Sequence, residues 1–134
     1  MRNENWTAAL MSLIKEWEHK PFAWGIADCC LFAADCAIAV CGVDPAEKYR
    51  GKYKTERGAK SMLLKNHGSL EAAWDAYFNR IDPRLAQRGD VVAYTSPTGR
   101  AVGVVWSGGV WSTTEDGVAQ TDCTPEIAWR IARV

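Results

Sequence analysis

Cys29 follows Asp28 and opens a run in which only Asp35 is charged up to Cys41. A thiol attacks as the thiolate, and its pKa falls at a helix N-terminus, where unsatisfied backbone N–H groups and the macrodipole favour negative charge. Asp28 is a suitable cap for that helix. The same N–H groups suit an oxyanion hole. Cys29 is therefore the candidate nucleophile. By helical geometry Cys30 points about 100° away, which predicts a packing role, and Cys36 lies two turns deeper as a small core residue.

Five cysteines, at 29, 30, 36, 41 and 123, leave at least one thiol free in a monomer. On a helix from 29 to 41, Cys29 and Cys36 lie about 10.5 Å apart along the axis, at 1.5 Å per residue. That exceeds the roughly 7 Å limit for a disulfide, and no pair sits one turn apart as zinc ligands on a helix do. The sequence thus predicts neither a disulfide framework nor a metal site, and no cofactor is called for.

The elements around this helix can be read from caps and periodicity. Trp6, Ala9, Leu10, Leu13, Ile14 and Trp17 share one face, so a helix is expected near 5–19, capped by Asn5 and ended by Pro21. Gly42 stops the central helix. Asp44-Pro45-Ala46-Glu47 has the form of a short helix start. Further helices are expected over 56–66, stopped by Gly68, and after Ser69, with Leu70, Ala73, Trp74, Tyr77 and Phe78 on one face. Beyond Asp82-Pro83 the pattern changes to strands: Val91-Val92-Ala93-Tyr94, then Ala101 to Trp106, then a Gly108-Gly109 hairpin into Val110-Trp111-Ser112. Ile127, Trp129 and Ile131 alternate with Ala128, Arg130 and Ala132, which predicts a half-buried last strand. Helices first and strands second predict an α+β class with an antiparallel sheet, in one domain over 1–134.

Equal numbers of acidic and basic residues, 16 of each, give no sign of a nucleic-acid or membrane protein. No stretch has the length of a membrane span, and the N-terminus lacks signal-peptide features. Synthesis in the cytosol is the expectation. Residues 48–65 hold seven basic residues, one acid (Glu56), and Tyr49 and Tyr53 among them. Such interleaving suits single-stranded nucleic acid. The reading favoured here is a solvated helical face, with Arg50 and Tyr53 positioned beneath the central helix. Asp35 in an apolar helix needs a partner, Arg50 or a tyrosine. Trp106 and Trp111 flank the hairpin and, with Trp24, are candidate substrate-binding residues, with core packing as the default.

Phe22-Ala23-Trp24-Gly25 followed by Asp28-Cys29-Cys30-Leu31-Phe32 resembles the nucleophile segment of the NlpC-type, papain-like cysteine peptidases. Gly42, Arg88-Gly89-Asp90-Val91-Val92, Ala101-Val102-Gly103-Val104-Val105 and Gly109-Val110-Trp111-Ser112-Thr113 resemble later segments of that family, in its order. The resemblance covers roughly residues 20–113. Trp6, Arg50-Gly51-Lys52-Tyr53 and Ala128-Trp129-Arg130 extend it towards a phage and prophage branch. It implies a papain-like fold and cysteine hydrolysis of amide bonds, such as those of cell-wall peptide. Ala101 stands where the family has its catalytic histidine, and the third polar position falls at Ser112 or Thr113. His19 and His67 are the remaining bases, and neither has the family's spacing. Two functions follow: an active cysteine hydrolase, or a homologue without turnover that binds a partner, such as phage tail or virion structural proteins. A thiol transferase or a binding module using the groove is the third.

Overall fold

The computed structural model describes residues 1–133. Helix α1 (Trp6–Trp17) forms on the expected face, burying Leu10, Ile14 and Trp17. Asn5 precedes it, but its side chain makes no capping bond. The amide of Ala9 bonds the Asn5 carbonyl instead, so the backbone starts this helix unaided.

Helix α2 (Cys29–Cys41) has the predicted bounds. Asp28 accepts from the Leu31 amide, and Gly42 closes the helix at φ +79°, its amide bonded to the Ile38 carbonyl. Eight of the thirteen residues are buried, because α1 covers one side and the sheet the other. Fully buried large side chains such as Phe32 and Trp17 contribute about 1.5–3 kcal/mol each through removal from water. Asp35 is paired as expected, 2.7 Å from Arg50 and 3.2 Å from the indole nitrogen of Trp17.

Residues 45–51 form successive turns rather than the expected short helix. Asp44 takes the Ala46 amide, as in an Asx turn, and its carboxylate also holds Arg50 at 3.0 Å. Those bonds, with Tyr49 and Tyr53 turned inward, curl the chain beneath α2. Helix α3 (Glu56–Asn66), capped by Thr55, and helix α4 (Leu70–Asp75), capped by Ser69, follow the sequence signals.

The sheet contains β1 (Asn79–Ile81), β2 (Val91–Ser96), β3 (Gly99–Trp106), β4 (Gly109–Thr114), β5 (Gly117–Thr121) and β6 (Ile127–Arg130). Their order is β1-β6-β2-β3-β4-β5, with every pairing antiparallel. The class is α+β. Strands β1 and β5 were not legible as alternating apolar runs. Strand β6 is not half-buried: it lies between β1 and β2, and both Ala128 and Trp129 are fully buried. One face of the sheet (Val91, Ala93, Val102, Val104) packs on the helices, and the other (Val92, Tyr94, Val110, Ala128) forms a smaller cluster with Ala101 and Val105.

Asp90 ties the two chain ends to the sheet. Its buried carboxylate accepts from Arg2 (2.8 Å), Arg130 (3.0 Å), the Ile131 amide (3.1 Å) and the Gln87 amide (2.9 Å). A buried charge persists only when paired and bonded to this extent. No helix among the described residues is long and apolar enough to cross a membrane.

Candidate thiol site

Cys29 is the first residue of α2, and its placement depends on Asp28. The Asp28 carboxylate, almost wholly buried, accepts three bonds: from the Leu31 amide (3.0 Å), the Gly25 amide (2.9 Å) and the Tyr53 hydroxyl (2.5 Å). Gly25 has φ +79°, and a Cβ there would sit 1.9 Å from the Tyr53 carbonyl oxygen. Only glycine lets the 22–28 turn press against the 49–53 segment. The cap, the aromatic-Gly turn and Tyr53 thus form one rigid support for the head of α2.

The sheet meets the thiol where β3 and β4 part. Their ladder covers only Val104–Trp106 against Gly109–Trp111, although β3 begins at Gly99. By the two-residue period of an antiparallel strand, the N–H and C=O of Val102 point the same way as those of Val104, towards β4. The Ser112 hydroxyl takes the Val102 carbonyl at 2.7 Å, and the Val102 backbone favours the Cys29 thiolate. Gly103 permits this approach: a Cβ there would lie 2.6 Å from Val110 Cγ1 and 2.8 Å from the Trp111 carbonyl oxygen.

The thiol of Cys29 is held below its ordinary value. The largest cause is the Cys30 side chain, which donates to the Cys29 sulfur. Burial opposes it, and the Val102 backbone adds to it. Cys30, as donor, is pushed well above the ordinary thiol range, by that bond and then by burial. Cys30 is therefore not simply packed away: it is half-buried and serves the Cys29 thiolate. Burial pushes the Tyr53 phenol up, with Asp28 adding to it, and burial pushes the Tyr94 phenol up as well. Tyr94 stands near Ser112, Thr121 and Cys29, a neighbour that sequence reasoning did not single out. It stays protonated at neutral pH. Cys30 and the Val102 backbone are thus the groups that favour the charged form of Cys29, and the one carboxylate at hand, Asp28, already accepts three bonds.

The other sequence candidates separate in space. Ala101 lies opposite Tyr94 in the β2–β3 ladder and packs in the smaller cluster, where a methyl group can accept no proton. Thr113 sits opposite Val118 in the β4–β5 ladder. Trp106 lies under the Arg88 guanidinium (5.3 Å), and the Trp111 indole nitrogen donates to the Ser107 carbonyl at 2.9 Å. Both pack against the main core. His19 is exposed at the end of α1. The Nδ1 atom of His67 is bonded to the Tyr49 hydroxyl, and its ring stacks on that of Tyr49. Among the described residues no hydrogen bond joins either histidine to Cys29. All five cysteines are free thiols, and no group of three or more His, Cys, Asp or Glu that could hold a metal occurs among the described residues.

Trp24 joins Cys29 and Cys30 in lining an apolar cavity of about 50 Å³. The 44–53 turns, α3 and α4 supply its other walls. Tyr49 and Leu63 come from the basic stretch, so that segment contributes inward aromatic and apolar side chains to the site as well as a charged exterior.

No curated protein matches this chain. A family model matches residues 1–131, nearly the whole sequence with its cap, thiol pair, cavity and sheet. The chain accordingly belongs to the family described as a domain of unknown function, DUF6950.

Proposed function

We propose that this chain is a papain-like domain of NlpC type that keeps the thiol site without turnover and works by binding a partner protein. The observation that carries the reading is the set of groups around Cys29: Cys30 donates to it, the Tyr53 hydroxyl is committed to Asp28, Asp28 already accepts three bonds, neither histidine bonds it, and Ala101 supplies no base. A cysteine hydrolase needs a base within hydrogen-bond reach to pass the proton to the leaving amine. An α+β order with the cysteine at the head of a core helix before an antiparallel sheet supports the papain-like assignment. The resemblance to phage and prophage sequences supports a phage structural protein, of tail-assembly type, as the partner, and a virion-associated location.

A second reading, an active hydrolase of amide bonds in cell-wall peptide with Cys29 as nucleophile, is favoured by one observation. The thiolate is stabilised at a helix N-terminus beside the Val102 backbone. One experiment separates the two. The pH dependence of Cys29 alkylation is read by peptide mass spectrometry, with the other four cysteines as controls, in parallel with release of amine from a panel of peptide amides. The expected result is selective Cys29 reaction with a midpoint below the free-thiol value of about 8.5 and no amine release. Catalytic release would overturn the non-turnover reading in favour of the hydrolase. A Cys29 that titrates as an ordinary thiol would remove the site from both.

A further inference from the structure

Cys29 and Cys30 both line the apolar cavity, and its wall limits what can enter. Among the described residues no lysine, arginine or histidine lines it. Its carboxylate and both its hydroxyls are already committed: Asp28 accepts from the Gly25 and Leu31 amides and from Tyr53, and the Tyr49 hydroxyl is bonded to His67. What faces the space is hydrocarbon, aromatic rings and the two thiols. Such a wall favours an uncharged, apolar occupant.

Size narrows the choice. At about 50 Å³ the cavity is a third of the roughly 150 Å³ that admits benzene in an engineered apolar cavity. Roughly two or three carbon atoms fit, and an aromatic side chain does not. The half-buried lining residues Trp24, Cys29, Cys30, Ala59, Leu63 and Leu70 give it access from solvent.

The groups around Cys29 set the kind of donor. An amide leaves as an amine and must be given a proton. Asp28 is saturated, and among the described residues no histidine is bonded to Cys29 to supply one. An acyl thioester needs no such proton. The Cys29 thiolate attacks the carbonyl carbon, the new sulfur–carbon bond forms, the donor's own sulfur–carbon bond breaks, and the donor leaves as a thiolate with the electron pair. One thiolate enters and one leaves, so charge and protons balance. The same lack of a base leaves water unactivated, so the product ester persists. Of the two thiols in the wall, Cys29 is the attacking one, because Cys30 is the protonated donor to it.

Resting on the non-turnover reading above, we infer that Cys29 takes up a short acyl group, of acetyl or propionyl size, from an acyl thioester and keeps it, with the hydrocarbon end in the cavity. The test uses the N-acetylcysteamine thioesters of propionate and hexanoate on the full chain, with each rate divided by that for free glutathione. Released thiol measures turnover, and peptide mass spectrometry locates and counts the bound acyl group. The expected result is a single propionyl group, on Cys29, that survives removal of the reagent and forms about tenfold faster than the hexanoyl adduct. Leu63→Ala removes the branched end of that side chain from the wall and should erase most of the preference. Leu63→Trp fills the space and should slow both reagents while iodoacetamide still labels Cys29. Equal relative rates for the two chain lengths in the wild type, acylation spread over several cysteines, or no adduct overturns the inference. In those cases the non-turnover reading stands, provided thiol release does not exceed one equivalent. Thiol release that continues past one equivalent, above the reagent's own hydrolysis and with no acyl group retained, overturns both.

Discussion

Helices α2 and α3 have similar lengths, thirteen and eleven residues, and each opens on a side-chain cap, Asp28 to the Leu31 amide and Thr55 to the Gly58 amide. Their surroundings differ completely. Helix α2 buries eight residues between α1 and the sheet, whereas α3 buries none. The cap of α2 takes two further donors from elsewhere in the chain, while that of α3 is exposed and satisfies only its own helix. Local capping starts both helices; tertiary packing decides which one is held.

Amide hydrogen exchange should show the contrast at its largest. The α2 amides are expected to exchange only through global unfolding, and those of α3 through local opening of much lower free energy. Equal protection would break the comparison. Next in size are the side chains. Phe32→Ala should cost about 3–5 kcal/mol in urea unfolding, because the phenyl ring is wholly buried. Leu64→Ala, at an exposed site on α3, should stay within about 0.5 kcal/mol.

The caps sharpen the same point. Asp28→Ala removes a cap and leaves the Tyr53 hydroxyl and the Gly25 amide without their acceptor, at a cost of about 3 kcal/mol. Thr55→Ala should cost about 1 kcal/mol, measured in the same unfolding series.

The smallest effect concerns the thiol pair. Cys30→Ala should move the alkylation midpoint of Cys29 upward, since donation from Cys30 is the largest cause of its lowering. Folding holds this thiol below its unfolded value of about 8.5. The stabilisation is therefore complete above that pH and is lost as pH falls through the folded value. The stability difference between wild type and Cys29→Ala should grow with pH up to about 8.5 and then level off, and Cys30→Ala should flatten the trend. An unchanged midpoint in Cys30→Ala would remove Cys30 from the site.

Much of the helical half was written in local signals. Asp28 and Gly42 bound α2, Ser69 caps α4, and Arg50 is the partner that Asp35 required. Asp44-Pro45 misled because a cap residue followed by proline opens turns as well as helices, and ion pairing to Arg50 chose the turn. Strand β1 is three residues long and carries no alternating pattern, and β5 is a sheet edge whose partner is visible only once β4 is in place. The Arg88-Gly89-Asp90 segment was readable as an entry to a strand, but not as the anchor of both chain ends.

The sequence by itself determined the position of the thiol: a capping aspartate, a helix-opening cysteine and an apolar run are local facts about backbone donors, dipole and burial. Tertiary structure alone decided the electrostatics of that thiol. Tyr94 becomes its neighbour, and the Val102 backbone comes to face it, only because the sheet packs beside the head of α2, where β3 and β4 part. Such proximity between residues some seventy positions apart arises from packing, and no spacing in the chain encodes it.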